Sequence, residues 1–229
     1  MRIRGRTIVA SLAVLGALSL GVGFCLAQQD QNKSGMQDKS GMQVGDKPAG
    51  MSGMSPEQQK QAMDQMMKLG QPGPEHQMLM KSAGDWDAEV KFFDMMTGKW
   101  SDPMKGIMHM KPILDGHYLQ MDYEGNMNMG GQSMPFKGMG ISGYDNVKKK
   151  YFSTWIDTMS TGIMHTEGTS DGQVVTLTGM MPDPMTGKDA KVREVVNHTD
   201  NDHMKYEMYA TGPDGKEMKW MEINYTRKM

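Results

Sequence analysis

The chain has 229 residues, a formal net charge of −2 and a single cysteine, Cys25. Cleavage of the N-terminal leader described below would remove that cysteine, which excludes disulfides, thiol catalysis, zinc–thiolate and iron–sulfur chemistry from the mature protein. Without the three leader arginines, 22 basic residues face 27 acidic ones; no basic stripe is visible, which argues against a nucleic-acid partner.

Arg2, Arg4 and Arg6 open the chain without an acidic neighbour, and Ile8 to Phe24 is almost wholly apolar or small. Cys25-Leu26-Ala27 then offers small residues at its first and third positions before the chain turns polar at Gln28. These three regions in order make 1–27 a signal peptide, so the protein is expected to be exported, periplasmic or secreted. A retained anchor is the alternative, and the membrane is a partner only through an uncleaved leader. Phe24 before Cys25 does not suit lipidation, and the lack of an Arg-Arg pair points to the general export route.

Residues 28–71 form a Met-rich spacer. Lys33-Ser34-Gly35-Met36-Gln37 recurs as Lys39-Ser40-Gly41-Met42-Gln43, and Gly50-Met51-Ser52-Gly53-Met54 follows. Such a segment cannot bury enough apolar surface to offset its ordering entropy, so disorder is expected. Ser55-Pro56-Glu57 reads as a helix start, and Ala62, Met63, Met66, Met67 and Leu69 recur at near-helical spacing; one short helix is expected there.

The remaining domain, 72–229, opens with a short helix from Pro74 towards Ala83. Strands are then expected at 86–93, 104–113, 117–127, 134–143, 150–158, 162–170, 173–181, 190–199, 203–210 and 216–227, divided by turn chemistry such as Asp115-Gly116 and Asp171-Gly172. Leu119, Met121 and Tyr123 alternate with Gln120, Asp122 and Glu124, the pattern of a sheet wetted on one face. The fold class is therefore all-β: an up-and-down antiparallel barrel of about ten strands with a short N-terminal helix. A β-sandwich is the alternative. Asp94-Met95-Met96-Thr97-Gly98-Lys99 and Asp183-Pro184-Met185-Thr186-Gly187-Lys188 share one pattern, read as repeated turn chemistry and not as a duplicated domain.

Several motifs together carry a resemblance: Pro72-Gly73-Pro74-Glu75-His76, Gly84-Asp85-Trp86-Asp87, Gly143-Tyr144-Asp145-Asn146-Val147-Lys148-Lys149-Lys150-Tyr151, Ser153-Thr154-Trp155-Ile156-Asp157, Met181-Pro182-Asp183-Pro184-Met185-Thr186-Gly187-Lys188 and Met221-Glu222-Ile223-Asn224-Tyr225-Thr226-Arg227-Lys228. Over 72–228 the chain resembles the bacterial domain-of-unknown-function family numbered fifteen seventy-nine. The resemblance implies a calycin barrel, similar to lipocalins and fatty-acid-binding proteins, and no assigned activity. Gly84-Asp85-Trp86 also resembles the lipocalin signature, in which the Trp closes the barrel floor.

Gly138-Met139-Gly140-Ile141-Ser142-Gly143 matches a dinucleotide fingerprint, but a turn and a strand follow where a helix is needed, so glycines easing a bent strand explain it better. No Gly-x-Ser-x-Gly, His-Glu-x-x-His or P-loop occurs, and the sequence identifies no cofactor. An aromatic and a charged side chain reaching a lumen can fix a ligand's orientation. On that ground Trp86, Tyr123, Trp155, Asp157, His165, Arg193 and Tyr206 are the candidate ligand-lining residues. The inward face of 150–158 is undecided, because Tyr151, Ser153, Trp155 and Asp157 alternate with Phe152, Thr154, Ile156 and Thr158.

Methionine is in excess at 30 residues. Most methionines in the domain replace scarce leucine in the core. Met36, Met42, Met51 and Met54 lie where no core exists, and Met127 and Met129 read as a strand end and loop. These six are the candidate soft-metal ligands, for Cu(I); the same thioethers could instead scavenge oxidants as reversible sulfoxides. Composition drift is a third explanation. The leading functional expectation is an exported barrel that binds a small, mainly apolar ligand. Cu(I) binding through exposed methionines is the second, and a haem-binding or enzymatic barrel the third.

Overall fold

The computed structural model describes residues 53–95, 97–129, 132–183, 186–212 and 215–229. The segment 1–27, expected to be a signal peptide, and the spacer up to residue 52, with Met36, Met42 and Met51, lie outside the described residues. Two units are distinguished, one ending at Lys68 and one running Leu69–Met229. In the first, α1 (Pro56–Leu69) starts where expected: Ser55 Oγ accepts from the Gln58 amide at 3.3 Å, while Gln58 Oε1 accepts from the Ser55 amide at 2.8 Å. That reciprocal pair satisfies donors the first turn would leave orphaned. Met63, Met66 and Met67 on this helix are exposed. Among the described residues no helix is long and apolar enough to cross a membrane.

The second unit is a closed antiparallel barrel. Its strands are β1 (Gly84–Asp94), β3 (Met104–Ile113), β4 (Tyr118–Met129), β5 (Gln132–Asp145), β6 (Lys150–Asp157), β7 (Met164–Ser170), β8 (Val174–Asp183), β9 (Lys188–His198), β10 (His203–Thr211) and β11 (Glu217–Arg227). Each pairs with the next, and β11 pairs with β1, Arg227 opposite Trp86 and Met221 opposite Phe92, which removes the free edges. The ten expected strands are these ten. The one addition is β2 (Lys99–Trp100), a two-residue strand on the end of β1, too short for sequence periodicity to register. β4 continues through Met129, where a strand end and loop were expected.

The two similar loops adopt one geometry. In each the Thr hydroxyl donates to the Asp carboxylate (Thr97 to Asp94 at 2.8 Å, Thr186 to Asp183 at 2.7 Å), and the following Gly has φ 67°. Repeated turn chemistry is what the structure shows.

Helix α2 (Pro74–Met80) packs on β4 and β5 at one end of the barrel, called here the floor. Leu79 enters a cluster with Tyr151, Val175 and Leu177. Trp86 is 1% exposed; its indole N–H donates to the Ser82 carbonyl at 2.9 Å. The Arg227 guanidinium lies 4.1 Å over the Trp86 ring and donates to the carbonyls of Ala83 and Lys81 at 2.7 and 2.8 Å. One cation thus satisfies the last carbonyls of the helical segment and covers the aromatic plug.

Candidate functional site

Strand register fixes which side chains enter the barrel, because neighbours opposite one another share a face. Trp86, Ala88 and Val90 face Met108, Gly106 and Met104; Gly106 faces Gly125; Gly138 and Gly140 face Asp157 and Trp155; Trp155 faces Met164; Leu177 faces Glu194; and Glu194 faces Met208. The inward face of β6 is therefore Tyr151, Ser153, Trp155 and Asp157, the point the sequence left open.

The seven candidate lining residues divide. Tyr123, Trp155, Asp157 and Tyr206 face the lumen. Tyr123 is buried, its hydroxyl occupying the space that side chains at Gly106 and Gly125 would need, and its ring stands edge-on to Phe136 at 5.8 Å. Trp155 lies across Gly138, which has no Cβ to obstruct it, and donates through its indole N–H to Asp157 Oδ2 at 3.1 Å. Asp157 Oδ1 meanwhile accepts from the Met159 amide at 2.8 Å. Trp86 is inward but sealed as the floor plug.

His165 and Arg193 correct the expectation. His165 stands between Thr154 and Met180 on the outer face, exposed, beside the Phe152 ring. Arg193 also points outward: it grips Glu217 with two hydrogen bonds of 2.9 and 2.6 Å and lies 3.9 Å over the Tyr209 ring. A strand turns its side chains over at every residue, so the inward neighbour is Glu194, which the sequence reading passed over.

Glu194 is 3% exposed. Its carboxylate accepts from the Thr166 hydroxyl at 3.0 Å and from the Tyr206 hydroxyl at 3.2 Å. Burial pushes this carboxyl above the ordinary glutamate value, against the pull of those two hydroxyls. Burial also raises Tyr206 and Tyr225. The signal that could have found Glu194 was the alternation Val192, Glu194, Val196, an acid in phase with valines.

Burial of the inward side chains is uneven along the lumen. Towards α2, inward Ala88, Met108, Leu119, Tyr151, Leu177 and Tyr225 are buried. Towards the opposite end, the mouth, inward Phe92, Met127, Phe136, Trp155, Met164 and Met221 are only partly buried. Of the six methionines proposed as metal ligands, Met127 is one of these lumen residues, opposite Met134. Met129 continues β4 opposite Gln132, and Met54 is 45% exposed. Among the described residues no group of three His, Cys, Asp or Glu could hold a metal. An open concavity of about 420 Å3 is lined mostly by outward residues, among them His109, Asp122, Lys137, Met139 and Ile156, and also by Tyr123 and Asp157; a smaller one, about 210 Å3, lies at the floor by Lys81, His198 and Arg227.

Among solved structures, the chain is similar to Rv2717c from M. tuberculosis, at 14% identity and a TM-score of 0.48, covering 69% of this chain and 100% of that one. It is also similar to the S-type phycobiliprotein lyase CPES from Guillardia theta, at 10% identity and a TM-score of 0.46, covering 71% and 97%. A third is EF1p2_mFAP2b bound to DFHBI, at 10% identity and a TM-score of 0.37, covering 67% and 98%. No curated protein matches the sequence. The family model described as protein of unknown function (DUF1579) matches residues 71–227, and the chain belongs to that family.

Proposed function

We propose that this protein is an exported binding barrel that takes a small, mainly apolar molecule into the mouth half of its lumen. The observation that supports it is the incomplete burial of inward Phe92, Phe136, Trp155 and Met221. Apolar side chains in the interior of a closed barrel are ordinarily excluded from water, and their residual exposure marks surface that a ligand would cover. The floor cannot serve this way, because Trp86, Arg227 and α2 seal it. Asp157 and the Trp155 indole, both inward, give the site one polar handle. Export rests on the leader alone: the mature chain begins at Gln28, and N-terminal sequencing that finds residues 1–27 retained removes that part of the proposal.

Titration with the uncharged fluorophore N-phenyl-1-naphthylamine tests the binding. Saturable binding that quenches Trp155 is expected. Ala210 faces the lumen opposite Met218, and Ala210→Phe fills the mouth, so at least tenfold weaker binding is expected. Absent or unsaturable binding in the wild type, or equal binding by both proteins, overturns the proposal.

A further inference from the structure

Register brings together methionines that are far apart in sequence. Met127 on β4 stands directly opposite Met134 on β5. Gly106 on β3 stands opposite Gly125 on β4, and two residues further towards the mouth Met104 and Met127 keep the same inward phase. The Asn128 amide donates to Met104 Sδ at 3.3 Å, which fixes that thioether at the edge of β4 beside Met127. Three adjacent strands therefore present three inward thioethers in one row at the open end. Opposed Cβ atoms on neighbouring strands lie about 4.5–5.5 Å apart, and each methionine has three rotatable bonds with which to bring its sulfur to a common point.

We propose that Met104, Met127 and Met134 form a binding site for one soft monovalent cation, Cu(I) being the natural candidate. Thioethers are neutral and polarisable, and they select Cu(I) over hard divalent ions. A site made only of them fits a singly charged ion, which loses less solvation in a half-buried position than a divalent ion would. Met104 is 8% exposed while Met127 and Met134 remain partly accessible, so an ion can enter from the mouth and meet a sulfur already held by the Asn128 amide. The Asn128 amide occupies one lone pair of Met104 sulfur and leaves the other for the metal. This site differs from one built on spacer methionines, since its ligands are positioned by the barrel. It does not rest on the apolar-ligand proposal, whose probe and readout are separate.

The test is Cu(I) competition against a chromophoric Cu(I) chelator under anaerobic reducing conditions, using the full mature chain. A Met104→Leu/Met127→Leu/Met134→Leu variant should lose one equivalent and bind at least a hundredfold more weakly. A Met127→Leu/Met134→Leu variant leaves buried Met104 in place and gives the same direction of change should the triple variant fold poorly. Changing Met36, Met42, Met51 and Met54 to Leu should leave that equivalent intact. With methyl-13C methionine, redox-inert Ag(I) should shift the methyl signals of Met104, Met127 and Met134. Absence of Cu(I) uptake by the wild type, affinity in the double variant within twofold of the wild type, or loss of the equivalent in the spacer variant alone each overturns the inference.

Discussion

The two ends of the barrel each carry an inward tryptophan, and their surroundings differ. Trp86 at the floor is 1% exposed and held by Ser82 and Arg227. Trp155 at the mouth is only partly buried, and its polar partner is Asp157, two residues along its own strand. The ring that closes the fold is tied to segments far away in sequence, which makes it structural. The ring near the opening has a local partner and a glycine across from it, which ties it to the fold by fewer distant contacts. The same division holds for methionine: Met108 and Met204 fill the sealed part, whereas Met127 and Met134 sit at the rim.

The largest effect should come from breaking the floor. Trp86→Ala removes a sealed ring, its hydrogen bond and the surface under Arg227, with an expected cost of about 3–5 kcal/mol. Trp155→Ala, at the half-open site, should cost less than half as much while abolishing the fluorophore quenching. Urea unfolding of both variants measures the contrast. Equal costs would mean that the mouth is packed as tightly as the floor.

Most of the architecture was legible in the sequence because its signals are local. Alternation and turn residues marked the ten barrel strands, and Ser55-Pro56-Glu57 marked α1. The inward face was legible only where one phase was plainly apolar, as at Leu119, Met121 and Tyr123. On β6 both phases carry aromatic or aliphatic side chains, and only pairing with β5 decides between them. On β9 the conspicuous charge, Arg193, lies outside, while the inward and buried one, Glu194, is hidden between valines. The row Met104, Met127, Met134 depends on registers across three strands, which no periodicity encodes. β2 depends on a long-range pairing in the same way.

Glu194 sharpens the comparison between inside and outside. Its folded carboxyl titrates above the ordinary value near 4.5. Above 4.5 the unfolded chain has released a proton that the folded barrel still holds, so stability falls as pH rises from 4.5 through the raised value. Glu194→Gln should therefore stabilise the protein by about 1–2 kcal/mol at pH 8, with the gain fading towards pH 4. Glu207, on the outer face, runs the other way. Burial alone would raise it, but hydrogen bonds from Lys205, Lys219 and Tyr209 outweigh that and bring it down to about 2. Its stabilisation is present above 4.5 and is lost as pH falls towards 2. Glu207→Gln should cost about 1 kcal/mol at pH 7 and nothing below pH 2. Thermal melts of both variants across pH read the two slopes, and slopes of the same sign would contradict the assigned faces.

The smallest expected effect is at Arg193, and it tests the face assignment most directly. Its fork meets Glu217 on the barrel exterior, where water and salt screen the pair, and its stacking on Tyr209 adds a modest attraction. Arg193→Gln should cost about 0.5–1 kcal/mol, and half-molar salt should erase much of the difference. Because the side chain points away from the lumen, affinity for N-phenyl-1-naphthylamine should stay within twofold of the wild type. His165→Ala should be as silent, since that ring stands on the same outer surface. Were either change to weaken the probe tenfold, the inward phase of its strand would have to be reversed. That reversal would move Glu194 or Thr166 to the surface, against the burial of both side chains and the hydrogen bond that joins them across the interior.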